Sequence, residues 1–242
     1  MIQQDNQSRS NYNKNTVIKT IQNIQLAYEN NSLIDDKLIK QYQEEKSKNY
    51  SKIDLEYAPD KKVVRLWQKS ENKKVCYPNH LVNDKWINNT GEEVWLPYRH
   101  IRIRLAENQW MLIHEGEKAT DFALFKGIIS TCVLGAKAYD EEYLLGAINL
   151  LQALDIQGAI YIADEDGAGL KKAKAFQEIA YKNDFTLLIL PINFILPSAQ
   201  KGDDFVEYLQ ANQNKSTEQI VLDIESKVKC FSHALTADFL SY

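Results

Sequence analysis

The chain has 242 residues, which suits one ordinary domain with an appendage or two small domains. Its formal net charge of -4 at pH 7 gives no overall indication of nucleic-acid binding. No apolar run approaches the roughly 20 residues that span a bilayer, and the polar start of the chain lacks the apolar segment of a secretory signal. We therefore expect a cytoplasmic protein with no membrane partner. The three cysteines are scattered and odd in number, which argues against a disulfide framework, and no zinc site is expected.

Residues 1–50 are predicted to be a flexible arm followed by a helical segment. The first 15 residues are rich in Asn and Gln and show no apolar rhythm, which is typical of segments that do not fold alone. Apolar residues at helical spacing between Val17 and Leu26 then predict one helix. A second helical pattern extends over about residues 32–46.

Residues 51–105 are predicted to form a small β-rich subdomain. Short alternating segments at residues 62–67 and 93–96 are typical of strands, and the turn-forming residues between such segments predict a meander of β-hairpins. These turn-forming residues lie at Asn79, at 83–84 and at 88–91.

The same subdomain is the basic part of the chain. Between residues 61 and 104 there are ten Lys or Arg against four Asp or Glu, interleaved with five Trp or Tyr. Basic side chains can follow a phosphate backbone while aromatic rings stack on bases, so this composition favours nucleic-acid binding. A small twisted sheet with a solvated lysine face explains it equally well, and the acidic motifs described below favour binding.

From residue 106 to residue 212, strands and helices alternate. This is the pattern of a mainly parallel sheet with right-handed crossovers and helices on both faces. The predicted strands cover residues 110–113, 128–134, 158–163 and 185–190. The predicted helices cover residues 118–125, 141–154 and 168–182. Residues 213–242 are predicted to be a C-terminal helix that begins at Ser216 or Thr217, with Ser216 and Gln219 spaced as a capping box.

Three pairs of acidic residues lie where a strand gives way to a turn or a helix. In an open α/β sheet, such positions follow the carboxyl ends of the strands, at the edge where ligands bind. Carboxylates crowded there repel one another unless a cation joins them. Mg²⁺ suits the place because it takes one or two carboxylates together with phosphate oxygens. The pairs are Glu115 and Glu117, Asp164 and Asp166, and Asp203 and Asp204.

The order of these motifs resembles the Toprim domain shared by topoisomerases and primases, and most of all the primase-like Toprim proteins of phages and plasmids. The matching residues are Glu-Gly-Glu-Lys at 115–118, Asp-x-Asp-Gly-x-Gly at 164–169 and Lys-Gly-Asp-Asp at 201–204. The resemblance covers about residues 98–209. It implies an α/β fold with a Toprim-like, mainly parallel sheet and helices on both faces, preceded by the β-rich subdomain and N-terminal helices.

The resemblance also implies roles for the acidic residues. Glu115 would be a metal ligand or a general base, and Asp164 and Asp166 would be Mg²⁺ ligands, so these three are the expected catalytic residues. Glu117 would assist the metal site, and one of the pair at 203–204 would complete it. Mn²⁺ is the alternative ion. On its own, the Asp-x-Asp-Gly turn is explained equally well by a solvated turn with a helix cap.

The expected nucleic-acid-binding residues are basic or aromatic. In the β-rich subdomain they are Lys62, Arg65 and Trp67, and further along the chain they are Arg99 and Lys118. Basic side chains of this kind neutralise phosphates, and an indole ring can stack on a base.

The expected function is that of a primase-like Toprim protein of DNA replication. It would join nucleoside triphosphates on a single-stranded DNA or RNA template by Mg²⁺-dependent nucleotidyl transfer. A Toprim-type nuclease that hydrolyses phosphodiesters and a non-catalytic nucleic-acid-binding module remain alternatives. The sequence contains neither the zinc-binding module of full primases nor the P-loop helicase of the phage relatives, so either another chain supplies a helicase or a zinc-binding module, or this chain is one piece of a larger protein.

Overall fold

The computed structural model of the protein describes residues 34–92, 94–106, 109–164 and 166–239, with side chains to residue 228. The predicted arm over residues 1–15 and the predicted helix over residues 17–26 lie outside these ranges. Across the described ranges, no helix is long and apolar enough to cross a membrane.

The first half of the described chain is a helix followed by an antiparallel sheet. Helix α1 (Asp36–Glu44) continues into a 3₁₀ turn and falls within the predicted second helical stretch. Four strands follow in the order of the sequence: β1 (Tyr50–Ala58), β2 (Lys61–Gln68), β3 (Lys73–Val82) and β4 (Lys85–Ile87). Each strand pairs antiparallel with the next, so the predicted meander is confirmed.

The structure confirms one predicted turn of the antiparallel sheet and shows that two other expectations were wrong. Asn83 and Asp84 both have positive φ, at 48° and 60°, as the two-residue turn between β3 and β4 requires. Asn79, which was expected to mark a turn, lies within β3, where its side chain donates to the carbonyl of Tyr77. Residues 94–96 form no strand, because Trp95 is buried and packs edge-on against Tyr57 instead of joining the sheet.

The second half of the described chain alternates strands and helices as predicted. After the short helix α2 (His100–Ile103), the elements of this α/β unit fall into two groups. The strands are β5 (Trp110–His114), β6 (Ser130–Cys132), β7 (Gly158–Ala163) and β8 (Leu187–Pro191). The helices are α3 (Glu117–Phe125), α4 (Glu141–Ala153), α5 (Gly167–Lys182), α6 (Ile192–Ile195), α7 (Phe205–Ala211) and α8 (Thr217–Phe239). Helices α6 and α7 were not predicted individually, because each has too few residues for a helical period to show.

The four strands of the α/β unit form a parallel sheet in the order β6, β5, β7, β8. The chain moves from β5 to one side and then returns past β5 to reach β7. Because such crossovers are right-handed, the reversal places α3 on one face and both α4 and α5 on the other. The contacts agree with this assignment, since α4 packs against α5 while α3 packs against α1 and α7. The predicted α/β fold class, with a preceding β-rich subdomain, is therefore confirmed, whereas the predicted domain boundaries at 50, 105 and 212 stay predictions.

A buried carboxylate ties the N-terminal part of the described chain to the α/β unit. Asp121 on α3 is fully buried and accepts hydrogen bonds from the hydroxyls of Tyr42 at 2.9 Å and Tyr98 at 3.0 Å. The guanidinium of Arg99 completes the set at 3.0 Å. Burial raises the pKa of Asp121, and Arg99 together with the two hydroxyls opposes that rise. The carboxylate therefore links α1, the segment before α2, and α3.

We expect Asp121→Ala to reduce the free energy of unfolding by about 3–5 kcal/mol, because it leaves two buried hydroxyls and the half-buried cation of Arg99 without their acceptor. Urea unfolding followed by circular dichroism measures the change. Glu178→Ala, an exposed acid on α5, is the matched control and should stay within about 0.5 kcal/mol of the parent protein. Equal stability of the two variants would contradict the role given to Asp121.

Candidate functional site

The candidate site lies at the point where the chain reverses direction in the parallel sheet. Strands β5 and β7 are neighbours, but the connections that leave their carboxyl ends go to opposite faces. This leaves a crevice outside those ends, which is the usual ligand position in open α/β sheets. Glu115 follows β5 directly and Asp164 follows β7 directly. Strand pairing thus brings together two of the predicted catalytic acids.

Both carboxylate oxygens of Glu115 have partners within the protein. The backbone N–H of Asp164 donates to Glu115 Oε1 at 2.8 Å, and the ammonium of Lys172 lies 3.2 Å from Oε2. A Cβ atom on Gly169 would collide with Oε1, so only glycine leaves room for this carboxylate against the start of α5. These contacts hold the loop after β5 against the beginning of α5.

Asp164 experiences the strongest electrostatic perturbation at the site. Burial, together with the nearby carboxylates of Glu115, Asp204 and Asp166, raises the pKa of Asp164 to about 8. Lys172 opposes the shift without cancelling it. A carboxyl group with such a pKa holds its proton at neutral pH, and it gives the proton up when a cation compensates the crowded negative charge.

The other member of the Asp-x-Asp motif has a structural contact of its own. Asp166 is the N-cap of α5, and its carboxylate accepts a hydrogen bond from the N–H of Gly169 at 2.5 Å. The helix cap that was weighed as an alternative explanation of this motif is therefore present. Asp166 still contributes negative charge next to Asp164. The residue between them, Glu165, lies outside the described residues.

Of the third acidic pair, Asp204 faces the site and Asp203 does not. Asp204 lines the same cavity as Glu115 and Asp164, and it caps α7 in a capping box with Glu207. Burial and the charge of Glu207 raise the pKa of Asp204. Asp203 instead accepts a hydrogen bond from the backbone N–H of Gln200 within its own loop.

Glu117 also lines the cavity, but one of its oxygens is engaged. The hydroxyl of Tyr57 on β1 donates to Glu117 Oε1 at 2.7 Å. Glu117 is the first residue of α3, where a negative charge interacts favourably with the helix dipole. The hydrogen bond from Tyr57 therefore connects the start of α3 to the antiparallel sheet.

The cavity itself lies between the two sheets and has a volume of about 560 Å³. One wall carries the acidic residues together with Lys118 and Lys172. The opposite wall is the inner face of β2 and β3. The cavity-facing residues of those two strands include Val63, Arg65, Trp67, Lys74 and Cys76. A basic and aromatic surface therefore faces an acidic one across a space large enough for a small ligand.

The five predicted nucleic-acid-binding residues do not share one face. Arg65 and Trp67 line the cavity, but Lys62 lies on the outer face of β2, because neighbouring residues of a strand alternate. On that face its ammonium pairs with Asp54 at 2.7 Å and lies 4.1 Å from the centre of the Trp86 ring. Lys118 lines the cavity near Asp204, and burial lowers its pKa.

Both predicted arginines already hold ion pairs inside the protein. Arg65 makes two hydrogen bonds of 2.7 Å to the carboxylate of Glu45, and both side chains are buried. Arg99 is paired with Asp121 as described above. Any contact of these arginines with a phosphate would therefore come in addition to an existing pair.

The sequence analysis missed several residues of the cavity. No sequence motif pointed to Lys172, although its position in the second turn of α5 placed it near the acidic motif at 164–166. Glu45 and Lys74 belong to segments distant in sequence from the acidic motifs. Glu207 did carry a signal, because Asp204 and Glu207 have the spacing of a capping box.

The donor set fits Mg²⁺ or Mn²⁺ on chemical grounds. Glu115, Asp164 and Asp204 offer only oxygen atoms, and burial together with the neighbouring carboxylates raises the pKa of Asp164. Within the described ranges, no group of three or more His, Cys, Asp or Glu side chains that could hold a metal ion is present. Mg²⁺ does not need one, since it keeps several waters and phosphate oxygens as ligands.

Comparison with known proteins gives one structural similarity. No protein-family model matches the chain, and no curated protein matches it. Among solved structures, the chain is similar to a crystal structure of a DNA primase domain from Pseudomonas aeruginosa, with 19% sequence identity and a TM-score of 0.39. The alignment covers 62% of this chain and 47% of that chain, so the chain spans about half of that structure's length.

We expect Asp164 to make the stability of the metal-free protein depend on pH. Its pKa of about 8 in the folded protein exceeds the ordinary value of about 3.9, so between these values the folded state holds a proton that the unfolded state has released. The free energy of unfolding therefore falls as pH rises from about 4 to about 8. Asp164→Asn, which cannot ionise, should lack this part of the decline.

Urea unfolding with a chelator at about pH 6 and about pH 9 tests this expectation. The decline should be smaller in Asp164→Asn than in the parent protein by about 2–3 kcal/mol. Asp184→Asn, the same change at an exposed turn, should decline like the parent protein. Parallel declines in all three proteins would show that Asp164 ionises normally.

Proposed function

We propose that the protein is a primase-like enzyme that joins nucleoside triphosphates on a single-stranded DNA or RNA template with the help of Mg²⁺ or Mn²⁺. The observation that carries the proposal is the position of Glu115 and Asp164. They follow two adjacent parallel strands at the reversal of the sheet, inside a cavity whose opposite wall is basic and aromatic. Burial and the neighbouring acids raise the pKa of Asp164 to about 8, as a cluster built to receive a cation requires.

Asp164 and Asp204 are the proposed principal ligands of the ion, with Glu115 beside them and Asp166 adding negative charge. When bound, the ion would neutralise charge on a transferring phosphoryl group and hold the reacting oxygens in line. Glu115 would either contact the ion or accept a proton from the attacking hydroxyl. Asp203 is not among the residues that line the cavity, and Glu117 has one oxygen engaged by Tyr57, so we assign both of them supporting parts.

The remaining cavity residues would bind and orient the substrates. Lys118 and Lys74 face the cavity and can neutralise phosphates, while Trp67 offers an aromatic surface on the opposite wall. Little further chemistry is demanded of the protein, because positioning and electrostatic stabilisation carry most of the catalysis in phosphoryl and nucleotidyl transfer. A helicase or zinc-binding module on another chain remains part of the proposal.

A synthesis assay with Asp164→Asn tests the function. The full chain is incubated with a single-stranded template, labelled nucleoside triphosphates and Mg²⁺ or Mn²⁺, and the products are separated by length. We expect short labelled oligonucleotides from the parent protein and at least about a hundredfold lower rate from Asp164→Asn. Asp184→Asn makes the same chemical change at an exposed turn and should retain the parent rate.

The products also separate the alternative functions. Cut template strands without new oligonucleotides would identify a nuclease that uses the same acids. Template binding without either product, unchanged in Asp164→Asn, would identify a non-catalytic binding module. Either result would replace the primase-like proposal.

The salt dependence of strand binding should locate the nucleic acid. If the strand enters the cavity, Lys118→Ala weakens binding and lowers the slope of log affinity against log salt by about 0.7, the value for one phosphate contact on a single strand. Lys62→Ala removes the same charge from the outer face of β2 and should leave the slope unchanged. Fluorescence anisotropy with a labelled oligonucleotide at several salt concentrations measures both. The opposite pattern would place the strand on the outer face of the antiparallel sheet.

A further inference from the structure

Lys172 is the cation that this chain supplies to its own acidic cluster. Its ammonium lies 3.2 Å from Glu115 Oε2, with the Lys172 side chain 28% exposed and the Glu115 side chain 8% exposed. Of the basic side chains that line the described part of the cavity, Lys172 is the one paired with this acid. A partly shielded pair of this kind interacts more strongly than a pair on the open surface.

The geometry around Glu115 leaves one of its two oxygens available for exchange. Oε1 accepts a hydrogen bond from the backbone N–H of Asp164 and packs against the backbone of Gly169. Both contacts are made by main-chain atoms, which cannot move aside as a side chain can. Oε2 is held by an ammonium at the end of a flexible four-carbon side chain. A divalent ion that reaches Glu115 therefore meets Lys172 at Oε2, and the lysine can leave without any movement of the backbone.

We propose that Lys172 and the divalent ion compete for Glu115, so that the lysine acts as an exchangeable counter-ion of the site. The inference rests on the proposed function, because it presupposes that the acidic cluster binds a divalent ion and that Glu115 is one of the ligands. In the metal-free protein, the ammonium keeps the buried carboxylate of Glu115 paired. When the ion binds, the displaced ammonium stays at the cavity wall, where it can contact the phosphates of an incoming nucleotide.

Charge explains why the two cations exclude one another. An ammonium and a divalent ion that share one carboxylate would lie within a few ångströms of each other and repel strongly in a partly buried site. Retaining both would also require Glu115 to turn, and the collision of a Cβ atom at Gly169 with Oε1 shows how closely that carboxylate is packed. Binding of the ion therefore includes the cost of breaking the Lys172–Glu115 pair.

The test is a binding measurement that does not depend on catalysis. Mn²⁺ is titrated into the full-length parent protein, Lys172→Met and Lys171→Met, and free Mn²⁺ is followed by electron paramagnetic resonance, with calorimetry as a second method. Lys172→Met should bind Mn²⁺ about tenfold more tightly, the lower end of the coupling measured for close charge pairs. Lys171→Met removes an equal charge from the neighbouring, exposed position on the same helix and should match the parent protein.

The outcomes separate this inference from the proposed function. Equal Mn²⁺ affinity of Lys172→Met and the parent protein, or weaker binding by the variant, overturns the competition. Absence of Mn²⁺ binding by the parent protein and by both variants overturns the metal site as well. If Lys172→Met does not fold, Lys172→Gln provides the same comparison, because glutamine keeps a hydrogen-bond donor without the charge.

Discussion

The pairing of β5 with β7 forces negative charges together, and much of the surrounding structure compensates for that. Each of these strands ends at an acidic residue, and parallel pairing brings Glu115 and Asp164 to the same edge of the sheet. The repulsion is reduced in three ways. A backbone N–H and the ammonium of Lys172 hold Glu115, a helix N-terminus holds Asp166, and Asp164 keeps a proton at neutral pH. Crowding carboxylates until one of them keeps its proton at neutral pH reduces the stability of the fold. Such a cluster is more typical of a binding or catalytic site than of a purely structural one.

The cavity exists because two different sheets are held at a fixed separation. Its acidic wall belongs to the parallel sheet and its basic wall to the antiparallel one. Asp121 fixes α3 to α1 through Tyr42 and to the segment before α2 through Arg99, and Glu117 joins α3 to the antiparallel sheet through Tyr57. The two carboxylates of α3 thus serve different purposes, since the buried Asp121 fixes the architecture and the half-buried Glu117 lies both at the site and in the structural network.

Local sequence patterns predicted the parallel part of the fold well. β7 was predicted with its observed bounds, and α5 and α8 were predicted to within a residue of their starts, because long apolar periods and caps leave clear patterns. The expected strand at residues 93–96 was wrong for residues 94–96, because the burial of Trp95 depends on Tyr57, which lies far away in the sequence. No local pattern encodes such a contact.

The candidate site was predicted in part for the same reason. The acidic motifs at 115–117 and 164–166 lie at strand ends that the sequence identifies, so their proximity followed from topology alone. The choice between Asp203 and Asp204 depended on loop geometry. The face on which Lys62 lies depended on strand register, which is not apparent where basic residues occur at consecutive positions.

The compensation of charge also constrains how a divalent ion could enter. In the metal-free protein the cluster is partly neutralised by a proton on Asp164 and by the ammonium of Lys172 beside Glu115. In the proposed mechanism, an arriving dication would take the place of both beside the carboxylates, so the charge next to these acids would change little, while the displaced ammonium stays at the cavity wall. Ion binding would then be coupled to pH through the proton and to the nucleotide phosphates through the released lysine. Such coupling would favour simultaneous binding of ion and nucleotide, since the ammonium that leaves Glu115 gains its new partner only when phosphate is present.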